Sequence, residues 1–289
     1  MLNRQEFSSL RQGLVGCWVP SLGASGYTLL DRSGRSNHGT LTNMAGQNNW
    51  QANGSGLTLN FDGSNDYVAI PSSAALASAV WCSFWFYLTA SFAGTSSKAL
   101  LALSAEAVSP YRENIYVGFN IIGQGPSLNT GKLGIVSYDG SNAVVTSGAY
   151  SNTDFSSLTN RWTHASLGWN GSAWKVFVNG VDETNAEGTQ RILASFPTNP
   201  STINASGRAC ACQMDDIRAW SRPLTLSEIR LLSSRRGIGL TPLPDRAAGM
   251  PRKLSVNVGG TWRPADAYLN VGGTWKLAQA SVNVSGTWK

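Results

Sequence analysis

The chain has 289 residues, of which only 13% are charged, and it contains 31 glycines and 11 tryptophans. Few charges, many glycines and many aromatic side chains are typical of a β-rich globular protein and argue against a disordered chain, a helical bundle or a coiled coil. The net charge of +6 falls entirely in residues 235–289, because charges balance over 1–234. Without a run of four basic residues, this excess argues against a nucleic-acid partner and favours docking to another protein.

No segment resembles a signal peptide or a membrane span. The start of the chain, which begins MLNRQE, shows no uninterrupted apolar stretch of signal-peptide length. Residues 67–97 carry no charge, but they contain Pro71 and Gly94, and their aromatic centre at 80–88 has the length of a strand rather than of a bilayer. We therefore expect no membrane partner.

Four cysteines are dispersed along the chain with no metal-binding or redox spacing: Cys17, Cys82, Cys210 and Cys212. Cys210 and Cys212 are two residues apart, which places both side chains on the same face of a strand. In the absence of a secretion signal, the pattern favours buried free thiols and leaves a disulfide open.

In chain order, the first feature is an N-terminal arm, residues 1–12, whose apolar spacing predicts a short amphipathic helix. Hydrophobic alternation and turn residues then predict strands at 13–19, 57–61, 67–70, 80–88, 98–104, 115–122, 132–138, 143–149, 162–169, 173–179 and 213–220. The Asn-Gly pairs at 170–171 and 179–180 are typical of tight hairpin turns. Many short strands joined by polar turns indicate two packed antiparallel sheets.

One helix is predicted after residue 224. Thr225 and Glu228 have the spacing of a capping box, in which each side chain accepts an amide hydrogen at the start of the helix. Gly237 favours the end of that helix, and the prolines of 239–249 indicate a linker. Residues 13–238 are therefore predicted to form one domain.

The C-terminal segment, 250–289, repeats itself. The sequences VNVGGTW at 256–262, LNVGGTW at 269–275 and VNVSGTW at 282–288 recur with a period of 13 residues. The pattern of each unit predicts a strand, a glycine turn and a second strand that carries tryptophan. So small a segment cannot bury its tryptophans alone, and we expect it to pack on the main domain, on copies of itself or on a partner.

Several motifs of the main domain occur in the order found in one known superfamily. They are DRSGRSNHGT at 31–40, FDGSNDYV at 61–68, WCSFWFYL at 81–88, RWTH at 161–164, VNG at 178–180, MDDIRAW at 214–220 and RPLT at 222–225. Together they resemble a laminin-G-like domain of the concanavalin A-like lectin/glucanase superfamily. The resemblance implies an all-β jelly-roll sandwich with one short helix, followed here by a small C-terminal β-repeat segment.

The repeats resemble short units found at the ends of structural proteins of tailed bacteriophages. A lectin-like sandwich with such a tail is similar to a virion protein, either a capsid decoration or a tail-fibre component. The resemblance implies a location in the virion, after assembly in the host cytoplasm, and contacts with other virion proteins or copies of the chain.

The sequence does not indicate an enzyme. Retaining glucanases need two carboxylates about 5 Å apart, and in this superfamily they lie in a Glu-x-Asp-x-x-Glu pattern that the chain lacks. The acidic residues Asp182, Glu183 and Glu187 follow a turn and are expected on a solvated loop. His164 alternates within a strand, which favours a structural histidine over a catalytic base.

The resemblance also makes a calcium site a candidate, since laminin-G-like domains often hold Ca²⁺ at one edge. The candidate ligands are Asp31, Asn37, Asp215 and Asp216, which offer the oxygen atoms that calcium prefers. The alternative is structural: Asp31 organises its own turn, and Asp215 or Asp216 pairs with an arginine such as Arg218.

Two aromatic residues in polar loops, Trp50 and Tyr111, are candidates for stacking on a glycan, although either could instead cover an end of the sandwich. The regular period of the tail tryptophans favours an assembly contact. The candidate assembly residues are Trp262, Arg263, Trp275, Lys276 and Trp288.

These observations lead to one function and one alternative. The first is a non-enzymatic bacteriophage structural protein that displays a lectin-like domain for adhesion and docks or self-associates through its tail. The alternative is a carbohydrate-binding module of an adhesin or glycan-processing system. Calcium is the one cofactor considered.

Overall fold

The computed structural model of this protein describes residues 9–44, 49–53, 56–92, 96–105, 112–121, 130–139, 147–187, 199–204 and 208–238, and paired strands between 254 and 288. The chain divides into two compact units, Met1–Leu240 and Thr241–Lys289. Most of the predicted N-terminal arm (1–8) and the predicted linker (239–249) lie outside the described residues.

Short strands dominate the first unit. The described strands are β1 (Leu14–Trp18), β2 (Thr28–Leu29), β3 (Gly39–Thr42), β4 (Trp50–Ala52), β5 (Leu57–Asp62), β6 (Tyr67–Ile70), β7 (Trp81–Leu88), β8 (Lys98–Ala105), β9 (Arg112–Phe119), β10 (Lys132–Asp139), β11 (Ser147–Asp154), β12 (Trp162–Trp169), β13 (Trp174–Val178), β14 (Val181–Asp182), β15 (Asn185–Glu187), β16 (Ser201–Ile203) and β17 (Ala211–Trp220). The described helices are a 3₁₀ turn (Pro20–Leu22), α1 (Ala74–Ala77) and α2 (Leu226–Ser234). None of them is long and apolar enough to cross a membrane.

The strands form two antiparallel sheets. The first sheet has the order β14-β13-β12-β7-β17-β5-β4, with β1 also paired to β17, and the second has the order β15-β11-β10-β9-β8-β16-β6-β3-β2. Most neighbours in these sheets are distant in sequence, as expected of a jelly roll. The predicted all-β jelly-roll sandwich is confirmed.

One predicted strand, 143–149, lies four to five residues later in the structure, as β11. Its second half is polar and partly exposed, so hydrophobic alternation does not mark it. The pairing of β11 with β10, for example Tyr150 with Gly134, supplies its backbone hydrogen bonds instead. Tertiary pairing therefore overrides the weak local signal.

The core lies between the two sheets, and β7 shows how it is built. Cys82, Phe84 and Phe86 point into the core and are at most 1% exposed, as the alternation of a strand requires. Trp81 points to the other face and is also buried, because it packs in a second apolar cluster with residues of α2. One end of this strand is therefore buried on both faces.

Helix α2 packs on the outer face of the first sheet through Ile229 and Leu232, against Trp81 and Phe177. It begins with the predicted capping box, in which the Thr225 hydroxyl accepts from the Glu228 N–H at 3.3 Å. Glu228 Oε2 in turn accepts from the Thr225 N–H at 2.9 Å.

Replacing Thr225 with alanine should therefore lower the free energy of unfolding by about 1 kcal/mol, because one amide hydrogen of the first turn loses its acceptor. Urea denaturation at neutral pH measures the loss. Ser227→Ala is the matched control, since Ser227 lies exposed on the same turn. Equal midpoints for the two variants would contradict the capping role.

The four cysteines are buried and free, as the sequence favoured. Cys212 lies on β17, and Cys210 precedes that strand by one residue. Burial raises the pKa of the Cys17 thiol to about 12. A buried thiol with so high a pKa is inert rather than redox-active.

The second unit contains hairpins with a common register. The described pairs are β18 (Leu254–Val258) with β19 (Thr261–Ala265), β20 (Ala267–Val271) with β21 (Thr274–Ala278), and β22 (Asn283–Val284) with β23 (Thr287–Trp288). In each, the repeat's asparagine opposes its tryptophan: Asn257 with Trp262, Asn270 with Trp275, and Asn283 with Trp288. Arg263 and Lys276 follow the tryptophans on β19 and β21. An isolated two-stranded hairpin is only marginally stable in water.

Candidate functional site

A row of aromatic and polar residues crosses the outer face of the first sheet. Trp162 on β12 is opposite Tyr87 on β7, which is in turn opposite Gln213 on β17. Directly opposed residues project to the same face of a sheet. The alternate residues Phe86 and Met214 are buried in the core between the sheets, so the row faces outward.

Tyr87 and Trp162 form the aromatic part of this row. Their ring centroids are 5.5 Å apart with an interplanar angle of 50°, and both side chains are half-buried. The Tyr87 hydroxyl is 3.4 Å from Asn160 Oδ1 and donates to it. The two rings therefore hold each other in place while keeping part of their surface in water.

Amide side chains continue the row beyond Tyr87. Gln213 Oε1 accepts from Asn53 Nδ2 at 2.5 Å and from the Thr58 hydroxyl at 3.3 Å. Gln213 Nε2 donates to Gln51 Oε1 at 3.1 Å. Gln51 is exposed and Asn53 is half-buried, so this network reaches the surface.

Arg236, which follows α2, lies over the row. Its Cζ atom is 4.1 Å from the centroid of the Trp162 ring, a cation–π contact. Nη2 donates to the Asn53 carbonyl at 2.5 Å, and Nη1 is 3.6 Å from Asp215 Oδ2. We call this set of residues the outer strip: Gln51, Asn53, Tyr87, Asn160, Trp162, Gln213 and Arg236.

Asp215 lies beneath the outer strip with its side chain completely buried. Its Oδ1 accepts from the backbone N–H groups of Ser21, at 3.1 Å, and Asp216, at 2.8 Å. Burial, and then the negative charge of Asp216, raises the pKa of Asp215 to about 6. Burial also lowers the pKa of Arg236. The ion pair between these two side chains is therefore held in a poorly solvated place.

A β-bulge interrupts the regular alternation of β17 at Asp215 and Asp216. The register of β17 with β7 shifts between Asp215 and Arg218, and Asp216 has a φ of 51°. Its carboxylate accepts from Arg218 Nε at 2.6 Å and from the Gly237 N–H at 2.8 Å. Asp216 therefore pairs with Arg218, which is the structural role that the sequence analysis named as the alternative to calcium binding.

Asp31, the first predicted calcium ligand, organises its own turn. Its Oδ1 accepts from the N–H groups of Cys17 and Ser33, at 2.9 and 2.8 Å. Oδ2 accepts from the Ser33 hydroxyl at 2.7 Å and from the Asn37 N–H at 2.9 Å. Four protein donors thus already use the lone pairs that a cation would need.

The predicted calcium ligands do not form a cluster in the part of the chain that the structure describes. No group of three or more His, Cys, Asp or Glu residues there could hold a metal ion. Asn37 Nδ2 donates to the Val15 carbonyl at 2.8 Å, and Asp215 and Asp216 make the contacts given above. These residues do not fit a calcium ion in this arrangement, and calcium binding stays a prediction.

His164 is buried completely beside Ser83 and Trp85. Its Nε2 is 2.8 Å from the Ser83 hydroxyl, and its ring centroid is 5.2 Å from that of Trp85. Burial, with a smaller contribution from Arg218, lowers the pKa of His164 to about 3. A neutral imidazole enclosed in this way has the surroundings of a packing residue.

The structure places Trp50 differently from the sequence prediction. It is the first residue of β4 rather than part of a loop, and only 8% of it is exposed. Its Nε1 donates to the Gly26 carbonyl at 2.8 Å. The ring packs in the core because the strand turns it inward, so it offers no open face for stacking. Tyr111, the other predicted glycan contact, lies outside the described residues.

None of the outer-strip residues was predicted from the sequence as a site residue, and the two aromatic members of the strip are Tyr87 and Trp162. Both lie in segments recognised as strands, at outward positions next to inward aromatic or β-branched residues. That alternation is a usable signal for exposure. Their juxtaposition is visible only in the register of β12 with β7.

Two hollows of about 450 Å³ flank α2. One is lined by Val181 and Leu226, which are 62% and 45% exposed. Among the residues that the structure describes, each hollow is lined by a single carboxylate, Asp182 in the first and Glu228 in the second. In neither hollow do these described residues present the pair of carboxylates that glycoside hydrolysis requires.

Comparison with known families gives a match over residues 62–230, to the model described as the concanavalin A-like lectin/glucanases superfamily. A search of the curated proteins gave no match.

Solved structures share the fold at low sequence identity. Trypanosoma rangeli sialidase is 18% identical with a TM-score of 0.52; the match covers 76% of this chain and 32% of the sialidase. Domain 4 of AbnA, an extracellular arabinanase of Geobacillus stearothermophilus solved with arabinotriose, is 17% identical with a TM-score of 0.53, over 76% of this chain and 98% of that domain. The binding domain of botulinum neurotoxin DC, solved with SialylT, is 11% identical with a TM-score of 0.55, over 78% and 52%. This chain thus spans about a third of the sialidase, and these likenesses concern the fold alone.

Proposed function

Since the chain belongs to the concanavalin A-like lectin/glucanase superfamily, we propose that its sandwich is a non-enzymatic glycan-binding module whose binding surface is the outer strip. The observation that carries this proposal is the contact of two half-exposed aromatic rings with a chain of amides and one arginine on a single sheet face.

This combination suits the chemistry of sugars. A sugar ring has an apolar C–H face, which packs on aromatic rings, and a rim of hydroxyl groups, which exchange hydrogen bonds with amides. Tyr87 and Trp162 supply the first kind of surface, and Gln51, Asn53 and Asn160 supply the second. Solved sandwiches of the same fold carry arabinotriose and SialylT, which supports a carbohydrate as the ligand class.

The strip predicts which variant loses binding. Tyr87→Ala should weaken the best glycan of an array by about tenfold, equivalent to about 1.4 kcal/mol, because a stacking surface is removed. Titration calorimetry on the full chain measures the change. Tyr150→Ala is the matched control, since Tyr150 is half-buried on the second sheet. Equal affinity of the two variants would place the site elsewhere.

We propose that the module does not hydrolyse the glycans it binds. The chain lacks the carboxylate pattern of the glucanases, and the described lining of each hollow beside α2 includes one carboxylate. Incubation with β-glucans and with the array's best ligand should release no reducing sugar. Release above a heat-denatured control would contradict this part of the proposal.

We also propose that the chain is a bacteriophage virion protein, a capsid decoration or a tail-fibre component, that assembles through residues 250–289. The repeated hairpin register supports this proposal, since each short hairpin needs further partners for stability. The positive charge of residues 235–289 supports an acidic partner surface.

Light scattering tests the assembly role. The full chain should be an oligomer, and a chain ending at Pro244 should be a stable monomer. A full-length variant with Trp262, Trp275 and Trp288 replaced by alanine should behave like the truncated chain, because buried aromatic area drives the association. Two monomers in the first comparison would rule out self-association and leave either packing of the tail on its own main domain or a heterologous virion protein as its partner.

A further inference from the structure

The Arg236 end of the outer strip contains buried polar atoms without hydrogen-bond partners. Trp162 Nε1, Arg236 Nη1 and Asp215 Oδ2 are all closed to solvent and make no hydrogen bond to the described residues. The side chains of Arg236 and Asp215 are 6% and 0% exposed. Leaving such groups unsatisfied is costly, and most buried polar groups in proteins have a partner.

These three groups lie on side chains that meet at Arg236. The guanidinium of Arg236 lies between the other two side chains, with Cζ 4.1 Å from the Trp162 ring centroid and Nη1 3.6 Å from Asp215 Oδ2. The second distance is too long for a hydrogen bond, so the ion pair itself does not satisfy either atom.

Two of the unsatisfied groups are donors and one is an acceptor. A hydroxyl group is the chemical complement of that set, because its oxygen accepts two hydrogen bonds and its hydrogen donates one. Building on the proposed glycan-binding function, we propose that this end of the strip is a specificity site for one hydroxyl group of a neutral sugar. The hydroxyl accepts from Arg236 and Trp162 and donates to Asp215.

The charges of the site favour a neutral ligand over an acidic one. Arg236 and Arg218 are matched by Asp215 and Asp216, so the four side chains have no net charge. A carboxylated sugar would meet Asp215 directly beside Arg236. The attraction of its carboxylate to Arg236 would therefore be offset by repulsion from Asp215.

Because the three atoms are closed to solvent, the hydroxyl enters only when the Arg236 side chain shifts enough to admit it between Nη1 and Asp215 Oδ2. In the free protein the same chemistry suits a water molecule, which is the competing occupant.

The test uses the best neutral glycan of the array, its set of monodeoxy analogues, and the full chain as wild type and as Arg236→Lys. One analogue should bind the wild type at least about tenfold more weakly than the parent glycan does, because the missing hydroxyl leaves the buried groups unpaired. With Arg236→Lys, the same analogue should bind less than about threefold more weakly than the parent glycan. Lysine keeps the charge of this side chain but not the forked donors of arginine. Thermal melting of both proteins checks that the exchange leaves the fold intact.

The outcomes separate this inference from the proposed function. If Tyr87→Ala weakens binding but no deoxy analogue depends on Arg236, the outer strip binds glycans and the hydroxyl site is wrong. Preferential binding of carboxylated glycans would also overturn it, as would a complex structure in which a water stays between Arg236 and Asp215. If no glycan binds the wild type, both the function and the hydroxyl site are wrong.

Discussion

Replacing Asp216 with asparagine is expected to lower the free energy of unfolding by about 3 kcal/mol, because the buried Arg218 charge loses its counter-ion. The two side chains are each 2% exposed and lie 2.6 Å apart. Asparagine is the appropriate replacement, since it keeps the volume and tolerates the φ of 51° at this position. Chemical denaturation of the full chain at neutral pH measures the effect.

An exposed ion pair provides the matched control. Lys175 and Asp182 are 3.1 Å apart, but their side chains are 30% and 43% exposed. Asp182→Asn should therefore cost less than about 1 kcal/mol. If Asp216→Asn cost no more than Asp182→Asn, the buried pair would not be an important contributor to the free energy of unfolding.

His164 should make the protein less stable in mild acid. The pKa of this side chain is about 3 in the folded protein, because of burial and then Arg218, against about 6.5 in an unfolded chain. The unfolded state therefore binds the proton first as the pH falls. The contribution of neutral His164 to the free energy of unfolding is complete above pH 6.5 and is lost as the pH falls toward 3. The loss reaches about 2–3 kcal/mol at pH 4.5.

Asp215 changes the stability of the folded state in the opposite direction over part of this pH range. Its folded pKa, raised to about 6, favours the folded state as the pH falls from 6 toward 4. The total pH dependence therefore combines both groups, and a single melting curve does not isolate the histidine. Comparing the wild type with His164→Gln at each pH removes the carboxylate contribution, since Asp215 is present in both.

Urea denaturation between pH 4.5 and 7 gives the required comparison. The difference in stability between wild type and His164→Gln should shrink toward low pH, because only the wild type loses the neutral histidine's contribution. His38→Gln is the matched control, since the chain has only two histidines and His38 is exposed. A difference that stays constant with pH would contradict a lowered pKa at His164.

The sequence predicted well those features that depend on neighbouring residues. The capping box at Thr225 and Glu228 forms because both partners lie within one helical turn. Strand β12 was predicted with its observed limits, 162–169, because a buried strand carries its alternation in its own residues. The hairpins of the tail likewise follow from glycine turns between short strands. In each case the interacting groups are close along the chain, so local chemistry suffices.

The outer strip and the Asp215–Arg236 pair were decided by tertiary structure. Tyr87, Trp162 and Gln213 come from three strands that are far apart in sequence, and only the register of the first sheet brings them together. Arg236 reaches them because α2 folds back over that sheet. Trp50 shows the same limit, since its polar neighbours suggested a loop while β4 turns its ring into the core. Amino-acid order determines which faces are apolar, whereas the pairing of distant strands determines which polar side chains meet.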